Sequence, residues 1–200
     1  MKRGTKRHTR GAAAAFGIRR SSNVLLILDM ISDFDFPDGP AVLRAARRIV
    51  PHIAALKARA MRAGVPTIYV NDNFGRWRSD APGIVRRCLD PEAAGHGVVR
   101  AIEPSEEDYI VLKPRHSGFY ATPLAGLIEE AQAERVILAG VSSHQCVLFT
   151  ANDAYLRELS LAVPRDCIAA PTAGETRFAL HYFESVLGAD TRAARAIRFK

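Results

Sequence analysis

From residue 22 onward, short apolar runs alternate with longer stretches in which apolar residues recur every three or four positions. Residues 24–28 (Val-Leu-Leu-Ile-Leu) form an unbroken branched run between polar neighbours, the signature of a strand buried on both faces. Similar runs at 65–70, 109–112, 136–139 and 161–163 predict four more strands. Between the first two, residues 40–63 place Leu43, Ala46, Ile49, Val50, Ile53, Leu56 and Ala60 at helical spacing, with Gly64 positioned as a left-handed cap. Pro51 inside that stretch predicts a kink, or a helix that starts there. Thr122 as N-cap and Pro123 in the first turn open a helix to about residue 133. Further helices are predicted over 144–159 and 174–187, while 192–199 fits an edge strand or a last helical turn equally well. Strands alternating with helices give a parallel sheet covered on both faces.

Residues 71–108 break the rhythm. They are irregular and rich in Gly, Pro and Arg. Leaving the C-terminal end of a strand, a segment of that length is expected to overhang the ligand crevice of an open α/β sheet.

Composition adds bounds. Two hundred residues suit one compact domain that needs no metal or disulfide to fold. The three cysteines, Cys88, Cys146 and Cys167, are too scattered for a disulfide framework or a zinc site, which favours reduced thiols and a cytoplasmic location. The net charge of +7 is confined to one end, because residues 1–20 hold seven cations and no acid. The remainder balances 21 cations with 21 acids, so nucleic acid is not an expected partner of the body. Residues 1–22 read as a basic tail, expected to be disordered, and residues 23–200 as the folded domain. Arg19-Arg20 precedes an apolar run, but Asp29 interrupts it after five residues, too soon for a secretory signal or a membrane span.

Three predicted strands end on residues that carry chemistry. Asp29 closes the first, Lys113 closes the third, and Cys146 follows the fourth in Gly140-Val-Ser-Ser-His-Gln-Cys146. With Ser143 as N-cap, Cys146 falls in a first helical turn, where unpaired N–H groups and the positive dipole end favour a thiolate. Parallel strands bring all three to one rim, supplying a nucleophile, a base and a cation for acyl transfer. His144 is a poor base for Cys146, since residues two apart on a helix point in different directions.

The segments LLILDMISDFDFPDG, VLKPRHSGFYATPL and GVSSHQCVLFTANDA together resemble the isochorismatase-like cysteine hydrolases, over about residues 23–190. The resemblance implies a three-layer α/β/α, Rossmann-like fold with a six-stranded, mostly parallel sheet in the order 3-2-1-4-5-6. It implies an Asp29–Lys113–Cys146 triad, a cis peptide at Val141–Ser142, and an oxyanion hole from the backbone N–H groups of Ser142 and Cys146. A homo-oligomer is implied as well.

The chain departs from the family pattern at Ile31, where glutamine is usual, and at Ser143, where threonine is common. Residues 71–77 lack the histidines with which nicotinamidases hold a metal, so neither metal nor cofactor is expected and nicotinamide is disfavoured as substrate. The presence of Cys146 likewise disfavours thiol-free vinyl-ether chemistry.

Phe34, Asn73, Trp77, His116 and Phe119 are candidate substrate contacts, with Tyr120 a further candidate wall. The expected activity is hydrolysis of a small amide or N-carbamoyl compound through a thioester. Asp29 takes the thiol proton, and water activated by the same carboxylate then releases the product. Rapid iodoacetamide labelling of Cys146 at neutral pH, lost in Asp29→Asn, is expected of this enzyme. An unreactive Cys146 is expected of the rival, a catalytically silent binding or scaffold protein on the same fold. A second rival, association with nucleic acid through residues 1–20, is tested by removing them.

Overall fold

The computed structural model describes residues 17–73 and 80–199. Its centre is β1 (Asn23–Leu28), all six residues buried. Leu25 and Ile27 face one apolar cluster, while Val24, Leu26 and Leu28 face another. Each such side chain contributes roughly 1.5–3 kcal/mol on leaving water, which is why a run without polar interruption takes the middle of a sheet.

Parallel pairing extends from β1 to β2 (Thr67–Asp72) and β3 (Tyr109–Lys113) on one side, and to β4 (Arg135–Val141) on the other. Beyond β4, the strands β5 (Ser160–Ala162) and β6 (Ile168–Ala169) share one edge. The first pairs residues 135–137 and the second pairs 140–141, so β6 lies beside β4 rather than outside β5. The sheet is six-stranded and ordered 3-2-1-4-5, with the sixth strand on β4. Residue Asp190 adds only an isolated bridge to Ala162. The ambiguous C-terminal stretch resolves as a 3-10 turn at Ala194–Ala196.

Helix α1 (Gly39–Arg62) packs on one face of the sheet and runs unbroken through Pro51, which sits on its exposed side. It ends, as expected, ahead of Gly64 at φ 70°. Two short helices, α2 (Ala81–Cys88) and α3 (His96–Ala101), lie within the stretch expected to be irregular. The opposite face carries α4 (Leu124–Glu130), α5 (Leu148–Tyr155) and α6 (Ala173–Ser185). Ile18 is buried in that second cluster, so the ordered body reaches back to Gly17. The expectation for residues 1–16 lies outside the described residues.

Candidate active site

All three chemistry-bearing residues sit at the C-terminal rim. Asp29 follows β1 directly in the left-handed region, at φ 50°, which aspartate tolerates better than most residues. Its Oδ1 accepts the N–H of Asp72 at 2.7 Å, tying the ends of β1 and β2 together. Lys113 ends β3, and its side chain is fully buried. Nζ reaches past the end of β2 to Asp29 Oδ2 at 2.9 Å, and lies 3.7 Å from Asp72 Oδ2.

Cys146 arrives from the other side. Gly140 sits at φ 120°, where an added Cβ would lie 2.1 Å from the carbonyl oxygen of Leu28, so this close approach of β4 to β1 requires glycine. The Val141–Ser142 peptide is cis. A wide π-helical turn, Ser143–Val147, then leads into α5 and carries Cys146. Ser142, not Ser143, occupies the cap position, and Ser143 is buried with its hydroxyl unpartnered among the described residues. Lys113 Nζ donates to Cys146 Sγ at 3.4 Å. One ammonium therefore touches both the carboxylate and the sulfur.

The charges in this cluster decide its resting state. Burial alone works against the Lys113 ammonium, but Asp29, with Asp72 beyond it, outweighs it and the group is held well above the ordinary lysine range. Burial, and then the negative Asp29, push the Cys146 thiol upward against the opposing pull of Lys113. Both effects favour the thiol form of Cys146 beside Asp29. The dipole argument gave the opposite expectation, because it counted the helix start and omitted burial and Asp29. Rapid labelling at neutral pH that Asp29→Asn abolishes does not fit this environment.

A cavity of about 290 Å³ opens over the sulfur. One wall is apolar, with Phe34, Phe36, Val42 and Val141. Asp29, Asp72, Ser142, Gln145 and His116 supply the polar side. His116 Nδ1 lies 3.6 Å from Cys146 Sγ. His144 instead turns toward Glu175 on α6, with Nε2 3.7 Å from Oε1.

The other expected contacts divide. Phe34 and His116 line the cavity. Asn73 is buried just past the end of β2 and donates its N–H to the Lys113 carbonyl, continuing the β2–β3 pairing. Phe119 packs into the second core cluster, covered by the Arg157 guanidinium at 4.6 Å, and does not line the cavity. The exposed Tyr120 does not line it either. Trp77 lies outside the described residues. Sequence reasoning misses Asp72, which falls at the start of the stretch that looks irregular. The available signal is strand register, since β3 pairing sets Asp72 opposite Lys113. Among the described residues no group of three or more His, Cys, Asp or Glu side chains is arranged to hold a metal ion. No helix among them is long and apolar enough to cross a membrane.

Comparisons with known proteins bear on the family and the fold. The sequence profile of the isochorismatase domain matches residues 23–194. The uncharacterized isochorismatase family protein YaaI of Bacillus subtilis is 40% identical over 171 residues, spanning 86% of this chain and 93% of that protein. The crystal structure of N-carbamoylsarcosine amidase from Thermoplasma acidophilum superposes with a TM-score of 0.67 at 26% identity, covering 88% of this chain and 99% of that one. An isochorismatase family protein from Desulfovibrio vulgaris gives a TM-score of 0.72 at 23% identity, over 88% and 96% of the two chains, which speaks for the fold alone.

Proposed function

The chain belongs to the isochorismatase family, and from that premise we propose that it is a cysteine hydrolase cleaving a C–N bond of a small amide or N-carbamoyl compound. The observation that carries this reading is the single buried ammonium of Lys113, 2.9 Å from Asp29 and 3.4 Å from Cys146, the two of which line a small cavity. The likeness to a carbamoylsarcosine amidase supports the choice of bond.

In this reading the substrate carbonyl lies over Sγ with its apolar body against Phe34, Phe36 and Val42. Asp29 takes the thiol proton as sulfur attacks the carbonyl carbon, so the thiolate forms only as the C–S bond forms. Backbone N–H groups of Ser142 and Cys146 receive the oxyanion. Collapse breaks the C–N bond, and Asp29 returns its proton to the departing nitrogen. Lys113 stays charged throughout and stabilises first the carboxylate, then the sulfur. Holding the thiol neutral at rest suits this order, because an unoccupied site keeps its nucleophile protected from oxidation and alkylation.

The test is ammonia release from a panel of small carboxamides, N-carbamoyl amines and ureas, with wild type beside Cys146→Ala. Turnover of at least one member by wild type, reduced by about 10³-fold or more in the variant, is expected. Equal turnover by the two proteins refutes the assignment.

A further inference from the structure

The polar group on the solvent side of the sulfur has no part in the chemistry so far. His116 is exposed, lines the cavity, and holds Nδ1 3.6 Å from Sγ. Its position is built. Thr150 on α5 donates its hydroxyl to the Cys146 carbonyl at 2.7 Å and accepts the N–H of Gly118 at 2.9 Å, so one side chain fastens the His116 loop to the turn bearing the nucleophile. Ser117 donates to Asp153 on the same helix. Gly118 allows this seating, since a Cβ there would come within 2.8 Å of Val70. The imidazole itself rests against the Phe149 ring, centroids 5.4 Å apart.

Asp29 is placed differently. Its side chain is 16% exposed, and each of its oxygens already has a partner, Oδ2 in Lys113 and Oδ1 in the Asp72 N–H. It is well set to exchange a proton with the sulfur and lines the same cavity, but His116 is the more exposed of the two and stands on the solvent side of the sulfur, from which water reaches a thioester.

Building on the thioester reading, we propose that His116 is a second catalytic residue, the base that activates water for thioester hydrolysis, while Asp29 serves the first half-reaction. Water adds its oxygen to the acyl carbon as one of its protons passes to the imidazole. The C–S bond breaks, and its electron pair stays on sulfur beside the Lys113 ammonium. The imidazolium then hands that proton to Sγ, restoring thiol and neutral imidazole as the acid product leaves. The closeness of Nδ1 to Sγ completes the cycle without using Asp29 twice.

The experiment uses p-nitrophenyl acetate as an acylating probe on the full chain. Nitrophenolate release reports acylation, and after removal of excess ester, intact mass follows decay of the acetyl-enzyme. In His116→Gln the burst rate is expected to fall by no more than about threefold, whereas the acetyl-enzyme of the variant persists about 100-fold longer than that of wild type. Free imidazole is expected to restore its decay in His116→Ala, a rescue that a merely structural role would not allow. Unchanged decay in His116→Gln, loss of burst and decay in equal proportion, or failure of imidazole rescue overturns the proposal. A full burst in Cys146→Ala removes the nucleophile itself, and both readings fall together.

Discussion

Two lysines in this molecule are drawn out of water, and they use their ammonium groups differently. Lys57 on α1 pairs with Asp108 at 2.7 Å, donates to the Glu103 carbonyl at 2.8 Å, and sits 5.1 Å from the centre of the Tyr69 ring. Each contact is with a group that takes no part in chemistry, and together they pin the turn before β3 onto α1. Lys113 is more deeply buried, yet directs one of its donors at a sulfur, a weak acceptor. Burying an ammonium costs several kcal/mol unless its partners are strong ones. A lysine that offsets that cost with oxygen acceptors and a ring face is a clamp. One whose donors are shared between a carboxylate and a thiol that both line a cavity is placed for reactivity.

The comparison is sharpest if both lysines are replaced by methionine, a side chain of similar length without charge. Lys113→Met is expected to lower turnover by about 10³-fold. It should also cost stability on the order of 3–5 kcal/mol, since Asp29 and Asp72 are left crowded without their cation. Denaturant midpoints and steady-state rates on any amide turned over by wild type measure the two effects separately.

Asp29→Asn probes the same cluster from the other side. Turnover is expected to fall by about 10²–10⁴-fold, because the thiol proton loses its acceptor. Iodoacetamide labelling should move the opposite way. Burial and the Asp29 charge both raise the Cys146 thiol, so removing that charge lowers it and increases the thiolate present at any given pH. Wild type should label slowly at neutral pH and faster as pH rises, and the variant should label faster than wild type at about neutral pH. A variant that labels more slowly would mean that Asp29 does not oppose thiolate formation.

The smallest effect on activity is expected from Lys57→Met. Stability should fall by about 3 kcal/mol while kcat stays within about twofold of wild type. A large loss of kcat at unchanged stability would erase the distinction between clamp and catalyst.

Legibility differs by region for physical reasons. The long buried strands are plain because a parallel sheet covered on both faces needs unbroken apolar runs. The two-residue β6 leaves no such trace, and α2 and α3 are too short, at eight and six residues, for helical periodicity to stand out. Pro51 does not end or start a helix, because α1 runs on either side of it with the ring on an exposed face. Phe119 and Tyr120 look like pocket walls because aromatic residues near a site carry no mark of direction. Ser32, Phe36, Val42 and Gln145 line the cavity without standing out in the sequence, for the same reason.

The order of residues along the chain determined which side chains close the apolar strands, and parallel pairing then required Asp29, Lys113 and Cys146 to share one rim. Whether they touch, how the ammonium is shared with Asp72, and in which direction the thiol shifts were decided only in three dimensions. Those properties depend on through-space separation and on the exclusion of water, both set by segments far apart in the chain, and a linear pattern encodes neither.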